Sequence, residues 1–184
     1  MTELPEMIET GLGRQNVVER LRAEFDRSFA QAPHAASGAP ETLLAIRIRD
    51  EPLALRLQDI AGLFADRVVT RLPGPFPDLL GLASFRGTTV PVFDLGALLG
   101  YPPGAALRWL ALTAGTAPVG LAFDRFERTE LLGADAVGAA VAAGNDRPGG
   151  HHARQVARTT DGPRPVVDVA SILRALDARV TRAR

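Results

Sequence analysis

The segment Leu43 to Leu57, LLAIRIRDEPLALRL, alternates apolar and polar positions on both sides of a charged pair. Leu44, Ile46 and Ile48 fall on one face. After the turn around Asp50 and Glu51, Leu53, Leu55 and Leu57 repeat that spacing. Period-two runs split by a short polar turn predict a β-hairpin. The following LQDIAGLF predicts a helical turn carrying Ile60 and Leu63. Val68 to Leu72 reads as extended, and the prolines of PGPFP (Pro73 to Pro77) impose a loop. Further on, LLGLASFRGTTVPVFDLGALLG (Leu79 to Gly100) predicts two strands that pivot on Arg86 and Gly87. Glycine is expected at such a pivot, because a tight turn often needs a positive φ. Ahead of the hairpin the period changes. Val17, Val18, Leu21, Phe25 and Phe29 recur at helical spacing over Asn16 to Ala30, and Gln31 to Glu41 reads as a small, polar, proline-broken linker. Four readings of that stripe are open: packing on its own domain, docking on a partner, pairing with a second copy, or disorder with occasional helix.

The chain also matches itself. LAIRIRDEPLALRLQDI (Leu44 to Ile60) aligns without a gap on LALTAGTAPVGLAFDRF (Leu110 to Phe126), so that Leu44 falls on Leu110, Leu55 on Leu121 and Ile60 on Phe126. PVFDLGALL (Pro91 to Leu99) aligns on PVVDVASIL (Pro165 to Leu173). Each half therefore predicts a hairpin, a connection, a strand ending in aspartate and a short helix. Asp94 and Asp168 stand where an N-cap accepts backbone N–H bonds, and both read as structural helix caps. A half of about 60 residues buries too little surface to stand comfortably alone, so the two should pack together. Short strands with turns at regular spacing favour small barrels. The expected fold is mainly β, with two five-stranded barrels in one body and a groove between them. The first covers about 42–100 and the second about 101–178, behind an N-terminal region 1–41. The Ala/Gly-rich insertion at 134–153 is expected to be a mobile surface loop.

Composition narrows the chemistry. The chain carries 21 basic and 21 acidic side chains, with no lysine among them, and the balance gives no support for nucleic-acid binding. Arginine abundance fits a GC-rich codon bias and carries no functional weight. Without cysteine there is no disulfide, thiolate metal site or cysteine nucleophile. The acidic start MTELPEMIET lacks the form of a secretory signal, and no apolar run approaches the roughly 18 residues of a membrane span. The expectation is a cytoplasmic protein with no membrane insertion. His34, His151 and His152 have no third ligand at a recognisable spacing. Ser84 lacks a G-x-S-x-G context, and neither a P-loop nor a strand-borne G-x-G-x-x-G is present. Aromatics are 5% of residues, mostly Phe at apolar positions, which argues against a base-stacking groove. No catalytic group, metal or cofactor is expected. The fold presents a surface.

At this point GLASFRGTTVPVFDLGALLG (Gly81 to Gly100) resembles the signature of CheW-like domains. That signature runs from an apolar strand through an Asn-hydrophobe-Arg-Gly turn into a Val-Pro-hydrophobe-hydrophobe-Asp-Leu strand and a helix. Ser84 stands where the family commonly has Asn. The resemblance extends from Leu43 to Leu176, most of the chain. It implies a CheW-like domain over 42–178 built of two SH3-like barrels. It also implies a non-catalytic adaptor of bacterial chemosensory arrays, which couples chemoreceptor cytoplasmic tips to the regulatory domain of the histidine kinase CheA. A receptor helical hairpin would lie in the inter-barrel groove, and the kinase domain would pair through barrel ends. Arg86 would stand beside the groove, where its planar fork can bond several acceptors while its stem lies on apolar surface. Gly87 shapes the turn, Ile60 and Leu63 match apolar groove positions, and Phe126 is the repeat partner of Ile60. The alternative is a CheW-fold interaction module of another signalling pathway, its partner chosen by the N-terminal helix.

Overall fold

The alternating run folds as its pattern requires. Glu41–Ile48 forms β1 and Glu51–Arg56 forms β2, paired antiparallel from Leu43 opposite Arg56 to Ile48 opposite Glu51. Arg49 and Asp50 make the turn, with Arg49 at a φ of 56°. The computed structural model describes residues 39–73, 76–103, 107–139 and 150–182, all within the unit 38–184. The helix expected over Asn16 to Ala30 lies outside the described residues.

After a single 3-10 turn at Leu57–Asp59, Ile60–Ala65 is strand β3 and not the helical turn its local pattern suggests. The reason is tertiary. β3 pairs with β6 (Trp109–Thr113), from Ile60 opposite Thr113 to Ala65 opposite Trp109, and that ladder outweighs local preference. β4 (Leu79–Phe85), β5 (Thr88–Asp94) and the four-residue α1 (Leu95–Leu98) complete the first half. The second half continues with β7 (Gly120–Phe123) and β8 (Arg125–Leu132). The described start of the insertion is ordered into a 3-10 turn (Ala134–Ala136) and a short strand β9 (Val137–Ala139), which pairs with β10 (Gln155–Thr159). β11 (Gly162–Val167) leads into α2 (Val169–Arg182). This last helix is 14 residues long, where the repeat predicted a short one. Its apolar stripe continues past the matched segment, burying Val169, Ile172 and Leu176.

The strands form a six-stranded sheet, β8-β1-β2-β11-β10-β9, and a five-stranded sheet, β3-β6-β7-β5-β4. Under the repeat, β1, β2 and β3 correspond to β6, β7 and β8, while β4 and β5 correspond to β10 and β11. The two sheets are then the same arrangement, with β9 added to one. The hairpin of each half sits between strands of the other half. β2 runs parallel to β11 with Ala54 opposite Val166 and Leu55 opposite Val167. β7 runs parallel to β5 with Gly120 opposite Val92 and Leu121 opposite Phe93. These are equivalent pairs residue for residue. A parallel pair cannot be closed by a tight turn, so each hairpin finds its parallel neighbour far along the chain.

Neither sheet is a closed barrel, which corrects the expectation of two five-stranded barrels. In the five-stranded sheet β3 and β4 are the unpaired edges. They approach through side chains, with the rings of Phe64 and Phe85 4.8 Å between centroids. The connection after β3 adds one bridge to β4, between Thr70 and Leu82. The curl is nearly complete, but its seam is made of rings and one bridge.

Alternation along the strands explains the cores. Leu44, Ile46 and Ile48 of β1, Leu53 and Leu55 of β2, Leu121 and Phe123 of β7, and Ile172 and Leu176 of α2 share one buried cluster that joins the two sheets. The opposite faces line two smaller cores. Val90, Val92 and Ala122 lie inside the five-stranded sheet, and Leu43, Ala54 and Val166 inside the six-stranded one. Leu57 departs from the pattern and is 44% exposed, because the strand has already given way to the 3-10 turn.

Candidate functional site

Arg86 and Gly87 are the two residues of the β4–β5 turn, and their φ values are 49° and 84°. Positive φ at both central positions is the primed hairpin turn whose twist matches the flanking strands. Gly87 takes that conformation without strain, and a Cβ there would meet nothing within 4 Å. The requirement is conformational, not steric. Arg86 is exposed and has no hydrogen-bond or carboxylate partner among the described residues. Ser84 has no side-chain amide to brace the turn, and β4–β5 pairing flanks it with Ser84 opposite Thr89 and Phe85 opposite Thr88.

The three apolar positions are placed differently from one another. Ile60 is only 9% exposed and belongs to the shared core, so it offers a partner little surface. Leu63 and Phe126 are half-buried and pack against that same core. Leu63 precedes Phe64, whose ring meets Phe85 beside the Arg86 turn. Phe126 opposes Ile46 across β1 and β8 and stacks on Trp109 with centroids 5.3 Å apart. Trp109 is the half-buried aromatic that sequence reasoning passed over. Its signal was its standing as the chain's single tryptophan, at the repeat position of Leu43.

Asp94 and Asp168 sit at the starts of α1 and α2. The Asp94 carboxylate accepts from the backbone N–H of Gly96 at 2.8 Å and of Ala97 at 3.2 Å. Asp168 Oδ1 accepts from the N–H of Ser171 at 2.9 Å. Asp94 does more than cap. Arg49 Nη2 donates to its Oδ2 at 3.1 Å, while Arg49 Nη1 donates to both oxygens of Asp124 and Arg49 Nη2 to the Pro102 carbonyl. A Cβ on Gly96 would stand 2.8 Å from Arg49 Nη2, so the glycine leaves room for this clasp. The repeat gives Gly115 at the position of Arg49, and the clasp exists in one half only.

A second polar cluster lies across β1, β8 and β11. Arg128 opposes Ala45 and Phe126 opposes Ile46, which leaves Glu127 as the extra residue of a β-bulge. Its carboxylate receives Arg47 Nε at 2.5 Å and Arg164 Nη2 at 2.6 Å. Burial alone would push the Glu127 carboxyl up. The hydrogen bonds from Arg47 and Arg164, with their charges, outweigh it and hold the group below its ordinary value. Arg164 is 3% exposed, and its position in the inward row of β11 was the sequence signal for a buried arginine. At the loop end, His152 Nδ1 is 2.8 Å from Ser171 Oγ, tying residues before β10 to α2. Burial first, and then the charges of His151 and Arg154, lower its pKa against the opposing pull of Asp168. These groups brace the fold. Among the described residues no cluster of three or more His, Cys, Asp or Glu side chains is arranged to hold a metal.

The described residues form a pair of curled sheets related by internal repeat, with an exposed arginine at the tip of the β4–β5 turn. Residues 42–177 match the CheW-like domain, and the chain belongs to that family. The scaffolding protein TtCheW from Thermoanaerobacter tengcongensis has a similar fold, with a TM-score of 0.61 and 16% sequence identity over 70% of this chain and 89% of that one. Among curated proteins none matches this chain. CheW-family proteins are non-catalytic adaptors in chemosensory signalling, and this chain is an adaptor of that class. Among the described residues no helix is long and apolar enough to cross a membrane.

Proposed function

We infer that this adaptor couples the cytoplasmic tip of a chemoreceptor to the regulatory domain of a CheA-type histidine kinase. The receptor hairpin contacts Arg86 and the Gly87 turn, and its apolar stripe lies along Leu63, Phe126 and the rim of Ile60. The observation that carries this reading is Arg86, exposed at the tip of a two-residue hairpin turn and free of acceptors among the described residues. A guanidinium held out in this way bonds carbonyl or carboxylate groups of an incoming helix pair without first breaking an internal contact. Half-buried Leu63 and Phe126 supply the apolar side of helix-in-groove recognition.

Binding of the full chain to a receptor cytoplasmic tip and to the kinase regulatory domain, measured separately with partners from one genome, tests this. Arg86→Glu is expected to weaken receptor binding by about tenfold, near 1.4 kcal/mol, with kinase binding and thermal unfolding unchanged. A folded Arg86→Glu protein with unaltered receptor affinity would count against the site. Failure of the native chain to bind either partner would assign the fold to another signalling pathway.

A further inference from the structure

The connection between β3 and β4 carries a surface that the receptor reading leaves unused. Arg67 lies over both rings of the seam, 5.0 Å from the Phe64 centroid and 5.4 Å from that of Phe85. A guanidinium held on two aromatic faces keeps its position while its N–H groups remain open to solvent. Gly62 permits this, since a Cβ there would stand 2.8 Å from Phe64 Cε2 and press on the ring. Arg71 is exposed farther along the same connection. Between the two arginines opens a cleft of about 520 Å³, walled by Val69, Leu72, Leu79, Leu80 and Leu107. Leu72 is 42% exposed, and Val69, Leu79, Leu80 and Leu107 are half-buried. Partly exposed aliphatic side chains grouped at one cleft and rimmed by charge mark an interaction surface.

The neighbouring acids are already engaged. Asp66 receives Arg108 Nε at 3.1 Å, and Asp78 receives the fork of Arg179 at 2.6 and 2.7 Å. Arg67 and Arg71 consequently have no carboxylate partner among the described residues, and they frame the aliphatic side chains of the cleft with positive charge.

We propose that this cleft docks an acidic, leucine-bearing peptide segment of a partner protein. The aliphatic wall takes the partner's apolar side chains, and Arg67 and Arg71 take its carboxylates. Charge complementarity selects the sign of the partner, and the cleft selects its class. A single-stranded nucleic acid would need open aromatic faces for stacking, and Arg67 occupies those of Phe64 and Phe85. Arg67 brings one end of this surface beside the Arg86 turn, so the test is placed on Arg71, which the receptor reading does not use.

The test is fluorescence anisotropy of the full chain with a labelled peptide carrying glutamate and leucine at helical spacing. The same peptide with lysine for glutamate, an oligo-dT strand and phosphatidylserine vesicles serve as comparisons. The glutamate peptide is expected to bind and the lysine peptide not. Arg71→Glu is expected to weaken binding about tenfold, whereas Arg158→Glu, an exposed arginine on β10, leaves it unchanged. Raised salt should weaken it as well. Equal binding by Arg71→Glu, or by the lysine peptide, overturns the proposal. So does Arg71-dependent binding of the oligonucleotide or vesicles in place of the peptide. Concentration-dependent mass in sedimentation that Arg71→Glu abolishes, with no peptide binding, would overturn it in favour of a second copy.

Discussion

Gly81 has a φ of 143°, and a Cβ added there would lie 2.0 Å from the Thr70 carbonyl oxygen. That carbonyl accepts from Leu82 N–H in the bridge that draws the connection onto β4. The clash is with backbone, so no rotamer change relieves it. Gly81→Ala is expected to cost about 3 kcal/mol, read as a lower midpoint in denaturant unfolding at unchanged slope. Glu127 is the other residue whose change should be felt at a distance. Glu127→Gln leaves the buried Arg164 guanidinium with only the exposed Asp161 carboxylate, 3.7 Å away, for an expected loss of about 2 kcal/mol at neutral pH. Because the folded-state pKa lies below the unfolded value, the stabilisation is complete above the ordinary glutamate value of about 4.3. It is lost as pH falls through the lower folded value. Thermal unfolding of native and Glu127→Gln proteins should therefore converge toward acid, and a gap that stayed constant to the acid limit would exclude the pair as its cause.

Among the elements, α2 owes its seat to more than its apolar stripe. Val169, Ile172 and Leu176 bury its first turns in the shared core, while Arg179 reaches Asp78 at the entry to β4 and lies 5.1 Å from the Phe76 ring centroid. The hydrogen bonds to Asp78, stronger than the effect of burial, raise the Arg179 pKa, so the guanidinium stays charged. Asp78 is 5% exposed, and losing its partner strands a buried carboxylate. Arg179→Met is expected to destabilise the protein by about 2 kcal/mol, less than a wholly buried pair because the arginine is partly solvated. Adding Asp78→Asn should recover part of that loss, a coupling that a double-mutant cycle by denaturant unfolding would measure. Additive effects would show that the fork contributes nothing beyond its two ends.

For the molecule as a whole, the exchange of hairpins between halves is the dominant fact. β1 and β2 lie between β8 and β11, while β6 and β7 lie between β3 and β5. The shared core draws side chains from both sheets and from α2, and Arg49 ties the first hairpin to Asp124 of the second half. A chain cut within residues 104–106 gives pieces that each contain a hairpin without its neighbours. Each piece alone is expected to show no cooperative unfolding, and mixing the two should restore it. Independent folding of residues 39–103 would contradict the intertwined topology.

The period-two runs, the internal repeat, the pivot at Arg86 and Gly87 and the capping sites of Asp94 and Asp168 were all legible along the chain, because each rests on spacing between residues near in sequence. The repeat even carries the register, since Val92 and Gly120 pair as Val166 and Ala54 do. Sequence alone therefore determined a duplicated β fold and its family. Only the tertiary structure decided that the duplicated hairpins change places, that Ile60–Ala65 extends as β3, and that the curled sheets stop short of closure. It likewise decided which arginines are spent on internal carboxylates. Strand partnership, bulge position and ion pairing join residues as far apart as Asp78 and Arg179, and no local pattern records which distant group will satisfy a backbone amide or a charge.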